Sequence, residues 1–127
     1  MAGTGGWAKI TQRDISDLVE TLQCRIDDIS GANAAYIACP VAGVISRIDT
    51  VVTGDTGGAT VLTANINGGT NITQTVTIRN GSGAGERDSA LPADNRTVAV
   101  GDAIKILSNG GAGNAVSAFV TVTITVG

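Results

Sequence analysis

Ala118-Phe119-Val120-Thr121-Val122-Thr123-Ile124-Thr125-Val126 alternates apolar and polar residues without a break over nine positions. A period of two places Ala118, Val120, Val122, Ile124 and Val126 on one face of a strand and Phe119, Thr121, Thr123 and Thr125 on the other. Such a strand is buried on one side only, so the fold around it is a layered β-structure. Working back from it, the same alternation and strand-forming composition predict strands near Ala35 to Cys39, Gly43 to Thr53, Ala59 to Ile66, Ile72 to Ile78, Asp88 to Leu91, Thr97 to Val100, Ala103 to Leu107 and Val116 to Val126. Between them, runs such as Gly54-Asp55-Thr56-Gly57-Gly58, Asn67-Gly68-Gly69, Asn80-Gly81 and Asn109-Gly110-Gly111 supply residues that tolerate positive φ. Eight short strands with this punctuation predict an antiparallel β-sandwich or jelly roll.

The period changes ahead of Ser30-Gly31. Ile15, Val19, Leu22, Ile26 and Ile29 recur at steps of four and three, which predicts one N-terminal amphipathic α-helix within residues 12–30, capped near Thr11 and Asp14 and ended by Gly31. With Ile15 at d, the seam is rich in β-branched residues, a composition that favours trimers in parallel coiled coils. The helix is too short to hold alone. Two readings fit its seam: contact with another subunit, or cover for its own sheet. The expected division is therefore a flexible arm over 1–11, the helix over 12–30 and the β-domain over 31–127.

Composition limits the function classes. The chain has 127 residues, 43% hydrophobic but only 2% aromatic, so its core must be built from Val, Ile, Leu, Ala and Thr methyls. With a net charge of -3 and no histidine, it offers no basic stripe for a phosphate backbone, and nucleic acid is not an expected partner. No segment is long and apolar enough to be expected to span a membrane, and Met1 to Trp7 lacks the pattern of a secretory signal. The protein is expected to stay where it is made or to leave by lysis. Cys24 and Cys39 permit one bridge, but buried free thiols are the expectation in a cytoplasmic product.

Candidate chemistry is sparse. The carboxylates are scattered through the N-terminal segment and the turns, with no convergent acid, base and nucleophile, so no catalytic residue, cofactor or metal is assigned and an enzyme is not expected. Gly81-Ser82-Gly83-Ala84-Gly85 lacks the Gly-Lys-Ser/Thr ending of a phosphate loop. Glu86 and Asp88 invite either a calcium ion or, in preference, an ion pair with Arg87. Trp7 is a lone tryptophan in a glycine-rich arm; it either anchors in a partner's pocket or folds back over its own sheet. The candidate interface residues are thus Trp7, Ile15, Val19, Leu22, Ile26 and Ile29. The threonine face of the last strand reads first as solvent surface and second as a face between like subunits.

Four stretches carry a family likeness: Ala35-Tyr36-Ile37-Ala38-Cys39-Pro40-Val41-Ala42-Gly43-Val44-Ile45-Ser46-Arg47-Ile48, Ala59-Thr60-Val61-Leu62-Thr63-Ala64-Asn65-Ile66-Asn67-Gly68-Gly69, Val98-Ala99-Val100-Gly101-Asp102-Ala103-Ile104-Lys105-Ile106, and the closing Val-Thr repeat. Over about residues 33 to 127 the chain resembles the head decoration (cement) proteins of tailed bacteriophages. The resemblance implies a jelly-roll protomer, a homotrimer, on the outer capsid surface of a virion assembled in the host cytoplasm. Its implied partners are the major capsid protein and neighbouring decoration trimers. A different class, a receptor- or glycan-binding jelly-roll module of a phage fibre or spike, is the alternative, with Tyr36 as the residue to test.

Overall fold

The computed structural model describes residues 18–127. They form nine strands: β1 (Val19–Ile26), β2 (Ala34–Ala38), β3 (Gly43–Val52), β4 (Thr60–Ile66), β5 (Val76–Ile78), β6 (Arg87–Ala90), β7 (Thr97–Val98), β8 (Ala103–Ser108) and β9 (Ala118–Val126). Sheet A has the order β1-β9-β3-β6, with β7 also on β3; sheet B has the order β2-β8-β4-β5, and every pairing is antiparallel. Successive strands cross between the sheets, except β4 to β5 and β6 to β7, in the order of a jelly roll, so the β-sandwich expectation holds. β9 lies between β1 and β3. Its inner side chains Ala118, Val120, Val122 and Ile124 are all fully buried, facing Ile104, Ile106, Leu62 and Ile78 in one apolar core.

The expected N-terminal helix is absent from the described residues. Residues 12–17 lie outside them, and Val19–Ile26 is the edge strand of sheet A, paired along its whole length from Val19 with Thr125 to Ile26 with Ala118. The misreading has a physical cause. Leu22 and Ile26 are four apart, a spacing that shares one face in a helix and also in a strand, because four is even. Cys24 between them is the discriminating residue: Leu22, Cys24 and Ile26 all pack inward, while Val19, Thr21, Gln23 and Arg25 face out. Ile29, read as the last seam position, sits in the β1–β2 turn, fully buried, with its amide donating to the Val116 carbonyl at 3.0 Å. Gly31 ends no helix; the turn is made by Asp28, whose Oδ1 accepts the Ser30 amide at 2.9 Å.

Two irregularities set which side chains face the core. In β3 the register slips between Ile45 and Arg47, so Ser46 is an extra residue and Ile45 and Ile48, three apart, both point inward while Arg47 points out. The strand expected over Ile72 to Ile78 is interrupted. The Ile72 amide still donates to Ala64, but Gln74 takes φ 69° and pairing resumes only at Val76 with Leu62.

At one end of the sandwich the β3–β4 and β8–β9 loops meet backbone to backbone. A Cβ on Gly111 would lie 2.2 Å from the Ala59 carbonyl oxygen, and one on Gly113 2.8 Å from that of Gly57. The same junction is tied by Thr60, whose Oγ1 donates to Asn109 Oδ1 at 2.7 Å, and by Gly111, whose amide donates to that Oδ1 at 3.0 Å. Gly111→Ala is therefore expected to destabilise the fold by about 2–3 kcal/mol. Gly83→Ala, where a Cβ meets nothing within 4 Å, is expected to be near neutral. Urea unfolding of the two variants beside the parent checks both.

Candidate functional site

Among the sequence-derived interface residues, Leu22, Ile26 and Ile29 belong to the chain's own core, whereas Val19 is 58% exposed on the outer side of β1. Trp7 and Ile15 lie outside the described residues. The structure thus brings no five-residue seam together. What it offers instead are two outer sheet faces.

The outer face of sheet A is a grid fixed by register. Val19, Thr125, Val44 and Thr97 make the first row; Thr21, Thr123 and Arg47 the second; Gln23, Thr121, Asp49 and Ser89 the third; Arg25, Phe119, Val51 and Arg87 the fourth. Hydroxyls dominate its middle, and the fourth row puts an arginine at each end of an apolar pair. Arg25 stands over the Phe119 ring, 5.5 Å from its centroid, and donates to Ser117 Oγ at 2.9 Å. Arg25 also pairs with Asp27 at 3.1 Å and Arg47 with Asp49 at 2.8 Å, both pairs well exposed and so worth little to stability. No carboxylate partners Arg87 among the described residues. Arg47, Asp49, Val51, Arg87, Ser89 and Thr121 line an open depression on this face.

The outer face of sheet B is plainer. Tyr36 is 67% exposed, opposite Lys105, which is in turn opposite Asn65; Ala34 and Ala38 flank the tyrosine along β2. Small neighbours leave the ring open, and Lys105 is the one charged side chain in these rows.

Other polar groups are committed to the fold. Asp88, on edge strand β6, pairs with Arg79, which follows edge strand β5 of the other sheet: Arg79 Nε is 2.8 Å from Asp88 Oδ1, and its Nη2 is 3.2 Å from Glu86. The cation here is Arg79 and not Arg87 as the sequence suggested. It clasps the two sheets across their shared edge. Among the described residues no group of three His, Cys, Asp or Glu side chains gathers as metal ligands do. Cys24 and Cys39 are free thiols, and burial pushes Cys24 up to about 11, so it is protonated and unreactive at neutral pH. Asp102 accepts the Ala99 amide and an Asn67 Nδ2 donor, each at 2.8 Å, which hold its carboxyl below the ordinary range.

Sequence reading missed the fourth row because cross-strand neighbours depend on register. Arg25 was hidden inside the supposed helix, and the Ser46 bulge disguises which of Arg47 and Ile48 faces out. Phe119 alone carried a usable signal, as the one large apolar residue on the threonine face.

No protein-family profile matches the chain, and no curated protein matches its sequence. Solved structures share its fold. A chain of the acid-stable capsid of Helicobacter pylori bacteriophage KHP30 superposes with TM-score 0.54 at 11% identity, covering 84% of this chain and 86% of that one. A chain of the cyanophage Pam1 capsid asymmetric unit gives 0.51 at 18% identity, over 87% and 84%. CsCBM6-3 from Clostridium stercorarium, solved in complex with cellobiose, gives 0.54 at 15% identity, over 92% and 91%. At such identities the likeness is one of fold: a jelly roll used both in phage capsids and in a carbohydrate-binding module.

Two outcomes test this polar architecture. Arg79→Ala leaves the Asp88 carboxylate, 11% exposed, without its cation and is expected to cost about 1.5–3 kcal/mol in chemical denaturation. Asp102 is expected to titrate below the unfolded value of about 3.9. Because its folded pKa is depressed, its stabilising effect is present above that value and is lost as pH falls through the folded pKa. Carboxyl-detected NMR should show Asn67→Ala moving the Asp102 titration upward.

Proposed function

We propose that the protein is a structural component of a phage virion: a decoration protein, homotrimeric, that binds the outside of the head and stabilises contacts between major capsid subunits. The observation that carries this reading is the jelly-roll order itself, spanning more than four-fifths of a chain in each of two phage capsid structures. The strand patterns quoted above over residues 33 to 127, which resemble cement proteins, point the same way. The surface chemistry suits adhesion: a face of hydroxyls with an arginine-edged apolar strip can exclude water and still hydrogen-bond at its rim. In this reading the work is mechanical and no reaction is catalysed. Trp7 and the residues around it contact the shell in this reading.

One observation favours a second reading. The open Tyr36 ring beside Lys105 and Asn65 could stack on a sugar, and a module of this fold has been solved with cellobiose. It would make the protein a receptor- or glycan-binding module.

Purified protein added to phage heads that lack it should bind at saturable stoichiometry and raise the temperature at which the heads release DNA. Deleting residues 2–10 should weaken that binding while leaving the melting temperature of the free protein unchanged. Absence of binding to the heads, together with a glycan-array signal lost in Tyr36→Ala, would favour the second reading.

A further inference from the structure

We propose that copies of this chain meet through the outer face of sheet A, the Arg25–Phe119–Val51–Arg87 row and Arg47 of one copy receiving the acidic loop end, Asp28 and Asp55, of the next. The inference gives the trimer of the proposed function its contact, and it rests on that reading for the number of copies.

The face has the composition of an interface centre. Phe119 is 47% exposed yet already braced by Arg25, so little side-chain freedom remains to be lost when it is covered. Aromatic and arginine side chains grouped around an apolar pair are the residue types that carry binding energy in protein contacts. Across the sheet the row spans three strand spacings, about 14 Å, and Arg47 stands four residues from Val51 along β3, about 13 Å away. Three cations spread this widely around an apolar centre do not follow a polyanion, whose charges recur every few ångströms. They fit a folded protein surface carrying separated carboxylates.

The complementary surface is on the same chain. The protein carries a net charge of -3, yet the four rows hold Arg25, Arg47 and Arg87 against Asp49 alone; Asp49 pairs with Arg47, and Asp27 just beyond the row with Arg25, so Arg87 is the cation of the face without a carboxylate partner among the described residues. Beyond the fourth row, the loops after β1 and β3 present Asp28 and Asp55. Each is held by its own turn, Asp28 by the Ser30 amide and hydroxyl and Asp55 by the Gly57 amide at 3.0 Å. Neither is within ion-pair distance of a lysine or arginine among the described residues. Hydrogen bonds from Ser30 keep the Asp28 carboxyl below its ordinary range, so it is charged at neutral pH. Two different patches that complement one another make a head-to-tail contact, and such a contact closes into a ring when the rotation allows. A threefold ring satisfies both patches on every copy.

The test is the mass of the full chain by light scattering and sedimentation, with circular dichroism and melting temperature as folding controls. The parent should self-associate, and more weakly as salt rises. Arg47→Glu with Arg87→Glu should raise the dissociation constant about tenfold or more, and so should Asp28→Lys with Asp55→Lys. All four reversals on one chain should restore the assembly, an outcome that a merely misfolded variant cannot give. Phe119→Ser should weaken association without touching charge. A parent that stays monomeric at every concentration overturns the proposal. So does an assembly indifferent to both pairs of reversals, or one dispersed by reversing Asp94 and Asp102 at the opposite end but not Asp28 and Asp55. Self-association through this face in a protein that ignores phage heads would defeat the decoration role alone; binding to heads by a monomer would defeat this contact alone.

Discussion

The double pairing of β9 is the constraint on which the rest of the molecule depends. β9 is bonded to β1 along eight residues and to β3 along nearly its whole length, while its alternate side chains fill the core. With three aromatic residues in the chain, the core is made of small branched side chains, which pack densely only if the two sheets stay in close register. A slip of one residue in β9 would turn Val120, Val122 and Ile124 outward and bring three threonines in. It would also break every row of the outer face. The packing that stabilises the chain thus sets the geometry of its outer face.

How much of this was legible in the sequence depended on whether a residue's meaning was local. The eight strands from β2 onward could be read because each is buried on one face or bounded by glycine, asparagine or proline. β1 could not, because Leu22 and Ile26 satisfy both periods and because a cysteine was not counted as apolar. Its residues argued for a strand all the same: Val19, Thr21 and Ile26 are β-branched and lose more rotamer freedom in a helix. The threonine face was recognised on β9, but its neighbours were not. That Phe119 lies between Arg25 and Val51 is a fact about pairing partners 94 and 68 residues away in the chain, which no period reveals.

The edges of the sheets are unequal. β5 has three residues, β6 four and β7 two, and the β5–β6 edge is closed by Arg79 reaching from one sheet to Asp88 and Glu86 on the other. Short strands and a charge clasp deny that side to strand pairing by another chain. β1 is an eight-residue edge, with Thr21, Gln23 and Arg25 facing out beside it. The longest edge among the described residues therefore borders the hydroxyl and arginine rows.

Rigidity at the acidic end follows from glycine used for closeness and not for freedom. Gly111 and Gly113 are pressed against the carbonyls of Ala59 and Gly57, and Asn109, Thr60 and Ser108 bond the two loops into one unit with the β1–β2 turn through the Ile29 carbonyl. Loops of this composition are commonly mobile when solvated, but here the amides of Thr53, Thr56, Asn109, Asn114 and Val116 all donate to backbone carbonyls, and the carboxylates above them are turn-held. Association costs the freedom of whatever becomes ordered on binding. A surface whose loops are already ordered by their own backbones loses little more when it is covered, so few aromatic side chains are needed to offset that cost.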